Sequence, residues 1–120
     1  MISIAFANEI RDTVLAALAD PTRRRIVELL AAKPMTASEI HATFPIANPA
    51  VSRHLRVLRE AGLITELPVS DGRVRLYTLR PETLEPLSAW VSELSRSWQA
   101  QLESFKDYVE ARSGRGGQPS

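Results

Sequence analysis

The stretch TASEIHATFPIANPAVSRHLRVLREAG, residues 36–62, decides the fold. Glu39 follows Thr36 by three residues, which fits a capping box and predicts a short helix. Asn48 and Pro49 provide the cap-and-proline start of a second helix, which ends at a glycine suited to a helix C-cap. The connection between these two helices is so short that it predicts a helix-turn-helix motif.

The second helix of this motif has one apolar and one polar face. Val51, Leu55 and Leu58 recur at spacings of four and three, so we expect them to point into a core. The outward face then combines small side chains near the start of the helix with two arginines beyond them, a surface that suits a DNA major groove. This outward face consists of Pro49, Ala50, Ser52, Arg53 and Arg56.

Two amphipathic helices are predicted before this motif. The first covers residues 8–19 and carries a stripe of apolar side chains at helical spacing. The second starts where an aspartate is followed by proline, because this pair serves as N-cap and first helical residue. The residues behind these predictions are Ile10, Val14, Leu15 and Leu18 in the first helix and Asp20, Pro21, Ile26, Val27, Leu29 and Leu30 in the second.

A β-hairpin is predicted between residues 64 and 79. Asp71 and Gly72 form a dipeptide that favours a type I′ turn, since both central residues of that turn need positive φ. Pairing outward from the turn defines two faces of the hairpin. One face places Val69 opposite Val74 and Leu67 opposite Leu76, and the other carries Arg73, Arg75 and Tyr77.

The last predicted helix carries a long apolar stripe. The stripe starts after Pro81 and exceeds what a small core can cover, so we expect a partner helix, most simply from a second copy of the chain. Trp90 and Trp98 could instead line a ligand pocket, but aromatic side chains at helical spacing more often pack in an interface. The stripe consists of Leu84, Leu87, Val91, Leu94, Trp98, Leu102, Phe105 and Val109.

The composition fits one domain with unevenly distributed charge. The chain has 120 residues, a net charge of +1 and no cysteine, which excludes disulfides and thiolate metal sites. Residues 21–80 hold ten basic and five acidic side chains, an excess that could neutralise phosphates or simply form a solvated face. With no signal peptide and no apolar run of about 20 residues, we expect a cytoplasmic protein without membrane contact.

Three runs of sequence resemble one family: LADPTRRRI at 18–26, PAVSRHLRVLREAGL at 49–63 and DGRVRLYTL at 71–79. Their order and spacing closely resemble the ArsR/SmtB family of bacterial winged helix-turn-helix repressors. The resemblance implies a mainly α fold with a small β-hairpin. It also implies a homodimer that binds double-stranded DNA, with its recognition helices in successive major grooves and its wings beside them.

This resemblance assigns roles to individual residues. Ser52, Arg53 and Arg56 would read bases, with Arg53 suited to a bidentate contact to guanine, and Asn48 would cap its helix and bind phosphate. His54 would pack beside the helix or bond a phosphate. The expected DNA-binding set is Asn48, Pro49, Ala50, Ser52, Arg53, His54, Arg56, Arg73 and Arg75, and the expected dimerisation set is Ile10, Val14, Leu87, Trp90, Val91, Leu94, Trp98, Leu102 and Phe105.

The predicted organisation is one domain over residues 1–112, with a DNA-binding core at 8–80, a dimerisation helix at 81–112 and a flexible tail at 113–120. Three neighbouring arginines remain open in role. Arg23, Arg24 and Arg25 could reach phosphate, but solvated surface or a salt bridge to Glu28 explains them equally well.

The metal sites common in this family do not match the sequence. The short helix that starts at Thr36 lacks cysteine, and the last predicted helix lacks histidine, so we expect no metal and no cofactor. No catalytic motif is present, so an enzyme is not expected. The alternatives to a plain repressor are a protein-binding module of the same fold and a repressor that responds to a small-molecule or metal inducer, whose identity the sequence does not give.

Overall fold

The computed structural model describes residues 3–69 and 74–116. The chain divides into two compact units, residues 1–87 and residues 88–120. The described elements are α1 (Ile4–Ala17), α2 (Pro21–Ala32), β1 (Met35–Thr36), α3 (Ala37–Thr43), α4 (Asn48–Glu60), β2 (Ile64–Pro68), β3 (Arg75–Leu79), a 3-10 turn (Pro81–Leu84) and α5 (Glu85–Gly116). This order confirms the predicted fold class, a mainly α chain with a β-hairpin.

Local capping signals set the start of two helices as predicted. The Asp20 carboxylate accepts hydrogen bonds from the backbone amides of Thr22 at 2.8 Å and Arg23 at 3.1 Å, which fixes the first turn of α2. At α3, the Thr36 hydroxyl accepts the Glu39 amide, and the Glu39 carboxylate accepts the Thr36 amide in return. This reciprocal pair confirms the predicted capping box.

Two other helix starts differ from the prediction. Helix α1 begins at Ile4 rather than residue 8, because the Ser3 hydroxyl accepts the Phe6 amide and caps an earlier turn. Helix α4 begins at Asn48, so the N-cap is Ala47 and no side chain caps this end. The predicted capping role of Asn48 was therefore wrong, although the proline after it occupies the first turn as expected.

The strands form an antiparallel sheet in the order β1-β3-β2. The register pairs Leu67 with Leu76, as the hairpin prediction required, and pairs Glu66 with Tyr77. The turn itself, with Asp71, Gly72 and Arg73, lies outside the described residues. The sequence did not predict β1, in which Met35 pairs with Tyr77 across β3.

The core of the first unit lies between α1, α2, α3, α4 and the sheet. Its described buried residues are Val14, Ala17, Ile26, Leu30, Met35, Ile40, Val51, Leu55, Leu58, Leu63, Ile64 and Tyr77. Val14 is 0% exposed, so its predicted place in a dimer interface was wrong, while Leu15, expected in the apolar stripe, is 39% exposed. Ile10 and Leu87, also predicted at that interface, pack partly buried against this core.

The second unit contains the rest of α5. All side chains of residues 88–113 are exposed, including large apolar ones. The helix continues to Gly116, past residue 112 where the sequence predicted its end. None of the described helices combines the length with the apolar character that a membrane span requires.

Candidate nucleic-acid interface

The two faces of α4 are the ones that its sequence predicts. Val51, Leu55 and Leu58 are buried, which anchors the helix on the core. The opposite face is exposed at Asn48, Pro49, Ser52, Arg53 and Arg56, and Ala50 is half-buried beside it. The predicted groove-facing residues of this helix therefore share one accessible surface.

A cavity of about 520 Å³ lies between α3, α4 and β3, next to this face. Its lining includes Arg53, Arg56 and Arg59 from α4, together with Tyr77 from β3. His41 of α3 also lines it, and in the described part of the chain the Nε2 atom of His41 is buried without a hydrogen-bond partner. The concave surface beside α4 is therefore strongly cationic.

Arg53 and Arg56 differ from most other arginines of the first unit. Among residues 3–69 and 74–116, no hydrogen bond or ion pair engages their side chains. Both are exposed, and within the described ranges neither forms an ion pair with a carboxylate. Their guanidinium groups can thus offer all their donors to a ligand. A planar, forked donor group of this kind matches a carboxylate, a phosphate or the edge of a guanine base.

The three arginines of α2 have partners within the chain. Arg24 Nη1 donates to the Leu18 carbonyl at 2.8 Å, and Arg25 forms an ion pair with Glu28 at 3.7 Å. Arg23 Nε donates to the Ala17 carbonyl at 2.6 Å. The bonds of Arg23 and Arg24 satisfy carbonyls at the C-terminal end of α1, and the ion pair of Arg25 lies within α2, so these contacts favour the structural alternative over phosphate binding.

His54 lies on α4 but turns toward α2. Its Nδ1 atom accepts from Arg23 Nη1 at 3.2 Å, and its Nε2 atom lies 4.0 Å from the Asp20 carboxylate. The ring is about four-fifths buried, since 19% of the side chain is exposed. The structure therefore places His54 against the N-terminus of α2, whereas the sequence grouped it with the DNA contacts.

Asp20 is the N-cap of α2 and also lies beside His54 and Arg23, which together form a first cluster. Desolvation by itself would raise the pKa of Asp20, but the hydrogen bonds from the backbone amides of Arg23 and Thr22, together with the charge of Arg23, outweigh it. The pKa of Asp20 is therefore lowered, and the carboxylate stays ionised. One side chain thus caps α2 and faces the ring that α4 presents.

Glu66 is a second cluster centre, which the sequence analysis missed. Its Oε1 atom accepts from Arg59 Nη1 and, at 3.0 Å, from the Tyr77 hydroxyl, while its Oε2 atom accepts from Arg75 Nη1 at 2.7 Å. A signal was available, because the predicted pairing of Leu67 with Leu76 already places Glu66 opposite Tyr77. The link to Arg59 had no local signal, since that residue belongs to α4.

The charges in this second cluster perturb its titration. Desolvation opposes ionisation of Glu66, but hydrogen bonds from Tyr77, Arg59 and Arg75 outweigh it, so the pKa of Glu66 is lowered. For Tyr77, burial and the hydrogen bond to the Glu66 carboxylate both raise the pKa of the phenol. At neutral pH the cluster thus contains one carboxylate and two guanidinium groups.

Only some of the predicted wing residues lie in the part of the chain that the structure describes. Arg73 lies outside the described residues, while Arg75 at the start of β3 is 66% exposed and bound to Glu66. The predicted apolar face of the hairpin is also exposed, at Leu67, Val69 and Val74. The opposite face, with Tyr77, is the one that packs on the core.

The apolar stripe of α5 lies at the surface of the second unit. Trp98 is 62% exposed and Phe105 is 64% exposed. The other large apolar side chains exposed along this unit are Trp90, Val91, Leu94, Leu102, Tyr108 and Val109. Among the described residues, no group of three or more His, Cys, Asp or Glu side chains could hold a metal ion.

Comparison with known proteins shows which class of domain this chain is similar to. Residues 18–66 match the family described as a helix-turn-helix domain. The chain is 38% identical over 100 residues to the HTH-type transcriptional regulator Rv2034 of Mycobacterium tuberculosis, covering 83% of this chain and 89% of that one. It is 35% identical over 80 residues to the transcriptional repressor SdpR of Bacillus subtilis, covering 67% and 87%.

A solved structure agrees with these relatives. The crystal structure of the ArsR family transcriptional regulator RHA00566 superposes with a TM-score of 0.68 at 31% identity. The match covers 82% of this chain and 97% of that one. Both the sequence and the fold of this chain are thus similar to the same class of proteins.

Proposed function

Because this chain belongs to the ArsR family and is a DNA-binding transcriptional repressor, we propose that it acts as a homodimer on an inverted-repeat operator in promoter DNA. Each copy would place its α4 helix in one major groove, about one helical turn from the other. Repression would follow from occlusion of the promoter, and the gene of the protein itself is a candidate target.

The free arginines on the outer face of α4 carry this proposal. Arg53 and Arg56 are exposed and have no partner among the described residues, unlike Arg23 and Arg24. Arg53 is suited to a bidentate contact with the O6 and N7 atoms of guanine. Ser52 lies beside it on the same exposed face, and Asn48 at the first turn suits a phosphate contact.

The exposed stripe of α5 supports the homodimer. A helix with this much apolar surface is stable in water when a second helix covers it, and a two-fold axis lets the same stripe cover itself. The proposed interface consists of Trp90, Val91, Leu94, Trp98, Leu102 and Phe105.

The first experiment is selection of bound duplexes from a random-sequence DNA pool. We expect an enriched inverted repeat, because two identical α4 helices would read two identical half-sites. An enriched sequence without two-fold symmetry would contradict the homodimer. Failure to enrich any sequence would contradict specific binding.

The second experiment measures anisotropy of the selected duplex with wild type and Arg53→Ala across a salt series. We expect Arg53→Ala to lose about 1 to 3 kcal/mol of specific binding and to relax the preference at one base pair. Arg25→Ala is the matched control, because it removes the same charge from a residue paired with Glu28. Equal losses for both variants would indicate that net charge, and not groove reading, accounts for the effect.

A different partner for α5 is the competing function. If the exposed stripe bound another protein, the purified chain would be monomeric in light scattering after size exclusion. A stable mass of two chains supports the repressor, and a monomer that fails to enrich DNA supports a protein-binding module. An inducer would appear in the same assay as a ligand-dependent fall in operator affinity.

A further inference from the structure

Glu66 lies where the wing meets the recognition helix. It belongs to β2, yet it binds Arg59 at the end of α4 and Arg75 at the start of β3. Both bonds are charge-assisted, and the Tyr77 hydroxyl holds the same carboxylate from the core side. One side chain therefore links two elements that are expected to touch DNA.

Glu66 orients Arg59 and Arg75 but leaves most of their N–H donors available for a ligand. Each donates to Glu66 through one Nη1 atom, and a guanidinium carries five N–H donors. The Arg59 side chain remains 47% exposed and that of Arg75 66% exposed, whereas only 15% of the Glu66 side chain is exposed. The carboxylate is thus mostly covered, and the positive groups that it holds still face the solvent.

We propose that Glu66 is a positioning residue for DNA binding, which presents Arg59 and Arg75 as one fixed pair to the phosphate backbone beside the groove occupied by α4. This inference rests on the proposed function, since it needs α4 and the wing to face DNA together. Its physical basis is preorganisation: a guanidinium already held in place loses less side-chain entropy when it binds a phosphate.

Simple electrostatics predicts the opposite effect of removing Glu66. The carboxylate carries a negative charge next to a surface that meets polyanionic DNA, so its loss would strengthen binding to any duplex. Positioning predicts weaker binding, because two long side chains would become free to move. The sign of the change in affinity therefore separates the two interpretations.

The test is the variant Glu66→Gln, with anisotropy measured on the selected operator duplex and on an unrelated duplex. We expect operator affinity to fall about tenfold, the size of the entropy cost of ordering one or two long side chains on binding. Glu60→Gln is the matched control, because it removes the same charge from an exposed residue at the end of α4, next to Arg59. That control should bind operator as tightly as wild type or slightly more tightly.

Two further variants separate positioning from stability. Tyr77→Phe removes one bond that holds Glu66 but keeps both arginines on the carboxylate, so it should lose less operator affinity than Glu66→Gln. Adding Glu66→Gln to a chain that carries Arg59→Ala and Arg75→Ala should cause no further loss, since the groups it positions are gone. All variants are compared at equal folded fraction, measured by circular dichroism.

Operator binding by Glu66→Gln as tight as that of Glu60→Gln would overturn the inference, and so would an equal loss in Tyr77→Phe. Failure of the proposed function looks different. In that case the wild type would fail to prefer its selected duplex, or Arg53→Ala would bind it normally, whatever Glu66→Gln does.

Discussion

The two compact units of this chain use the same apolar spacing in opposite ways. In residues 1–87, side chains at helical spacing close over one another, and Val14, Ile26, Ile40 and Leu58 are fully buried. In residues 88–113, a similar spacing leaves every side chain exposed. Periodicity thus shows which face of a helix is apolar, but the rest of the fold determines whether the chain covers that face itself.

This difference predicts that apolar substitutions have different readouts in the two units. In the first unit, they should lower the free energy of unfolding. In the second unit, they should change the assembly of copies. The following substitutions test that division, starting with the largest expected effect.

Leu58→Ala should lower the free energy of unfolding by about 2 to 5 kcal/mol, because it leaves a cavity in a fully buried site. Urea denaturation at fixed protein concentration measures it. Leu15→Ala is the matched control, since Leu15 is 39% exposed on α1 and should cost much less. Equal losses in the two variants would contradict the division between core and surface.

Trp98→Glu should raise the dissociation constant of the homodimer at least about 30-fold, as expected when a charge replaces an aromatic side chain at the centre of an interface. Sedimentation equilibrium measures the change. Ala100→Glu introduces the same charge on the opposite side of α5 and should leave the homodimer intact, with a measured mass of two chains. A monomeric Ala100→Glu, or a dimeric Trp98→Glu, would place the interface elsewhere.

Asp20→Ala should destabilise the first unit by about 1 kcal/mol, because two backbone amides of α2 lose their acceptor. Asp12→Ala offers a comparison of equal charge, since Asp12 is exposed and forms a surface ion pair with its neighbour Arg11. Its effect should stay within about 0.5 kcal/mol in the same urea measurement. Indistinguishable losses would show that the cap contributes little.

Acid should destabilise the chain, with a contribution from Glu66. The folded state lowers the pKa of this carboxyl. At pH values between the folded and the unfolded pKa, the unfolded chain therefore binds more protons than the folded one. The resulting stability is complete above the unfolded pKa and is lost as the pH falls through the folded pKa. The free energy of unfolding of Glu66→Gln should therefore depend less steeply on pH below roughly pH 5. The pH dependence of Tyr77→Phe should lie between those of wild type and Glu66→Gln. Parallel curves for the three proteins would contradict the assignment of this contribution to Glu66.

The sequence was sufficient for features with a local cause. The pair Thr36 and Glu39 is a complete capping signal within four residues, and Asp20 acts on the amides that follow it directly. The hairpin register also followed from one dipeptide and the alternation around it. These features depend on neighbours that are adjacent in the chain.

The sequence was insufficient where partners come from distant segments. Strand β1 exists because β3 runs beside it, and two residues cannot signal a strand alone. Val14 and Trp98 follow the same helical spacing, yet one is core and the other surface. The bond between Arg23 and His54 joins residues 31 positions apart, which no local pattern contains.

The pairing of Met35 with Tyr77 also bears on the order in which the protein is made. The two residues enclose α3, α4 and β2, so the sheet closes only after β3, the second strand of the hairpin, has been synthesised. A nascent chain that has released α4 but not β3 therefore exposes Met35 and Ile64 without their strand partner. During translation, α4 leaves the ribosome before the sheet that packs beside it is complete, and a pause between the synthesis of α4 and that of β3 would prolong this exposed state.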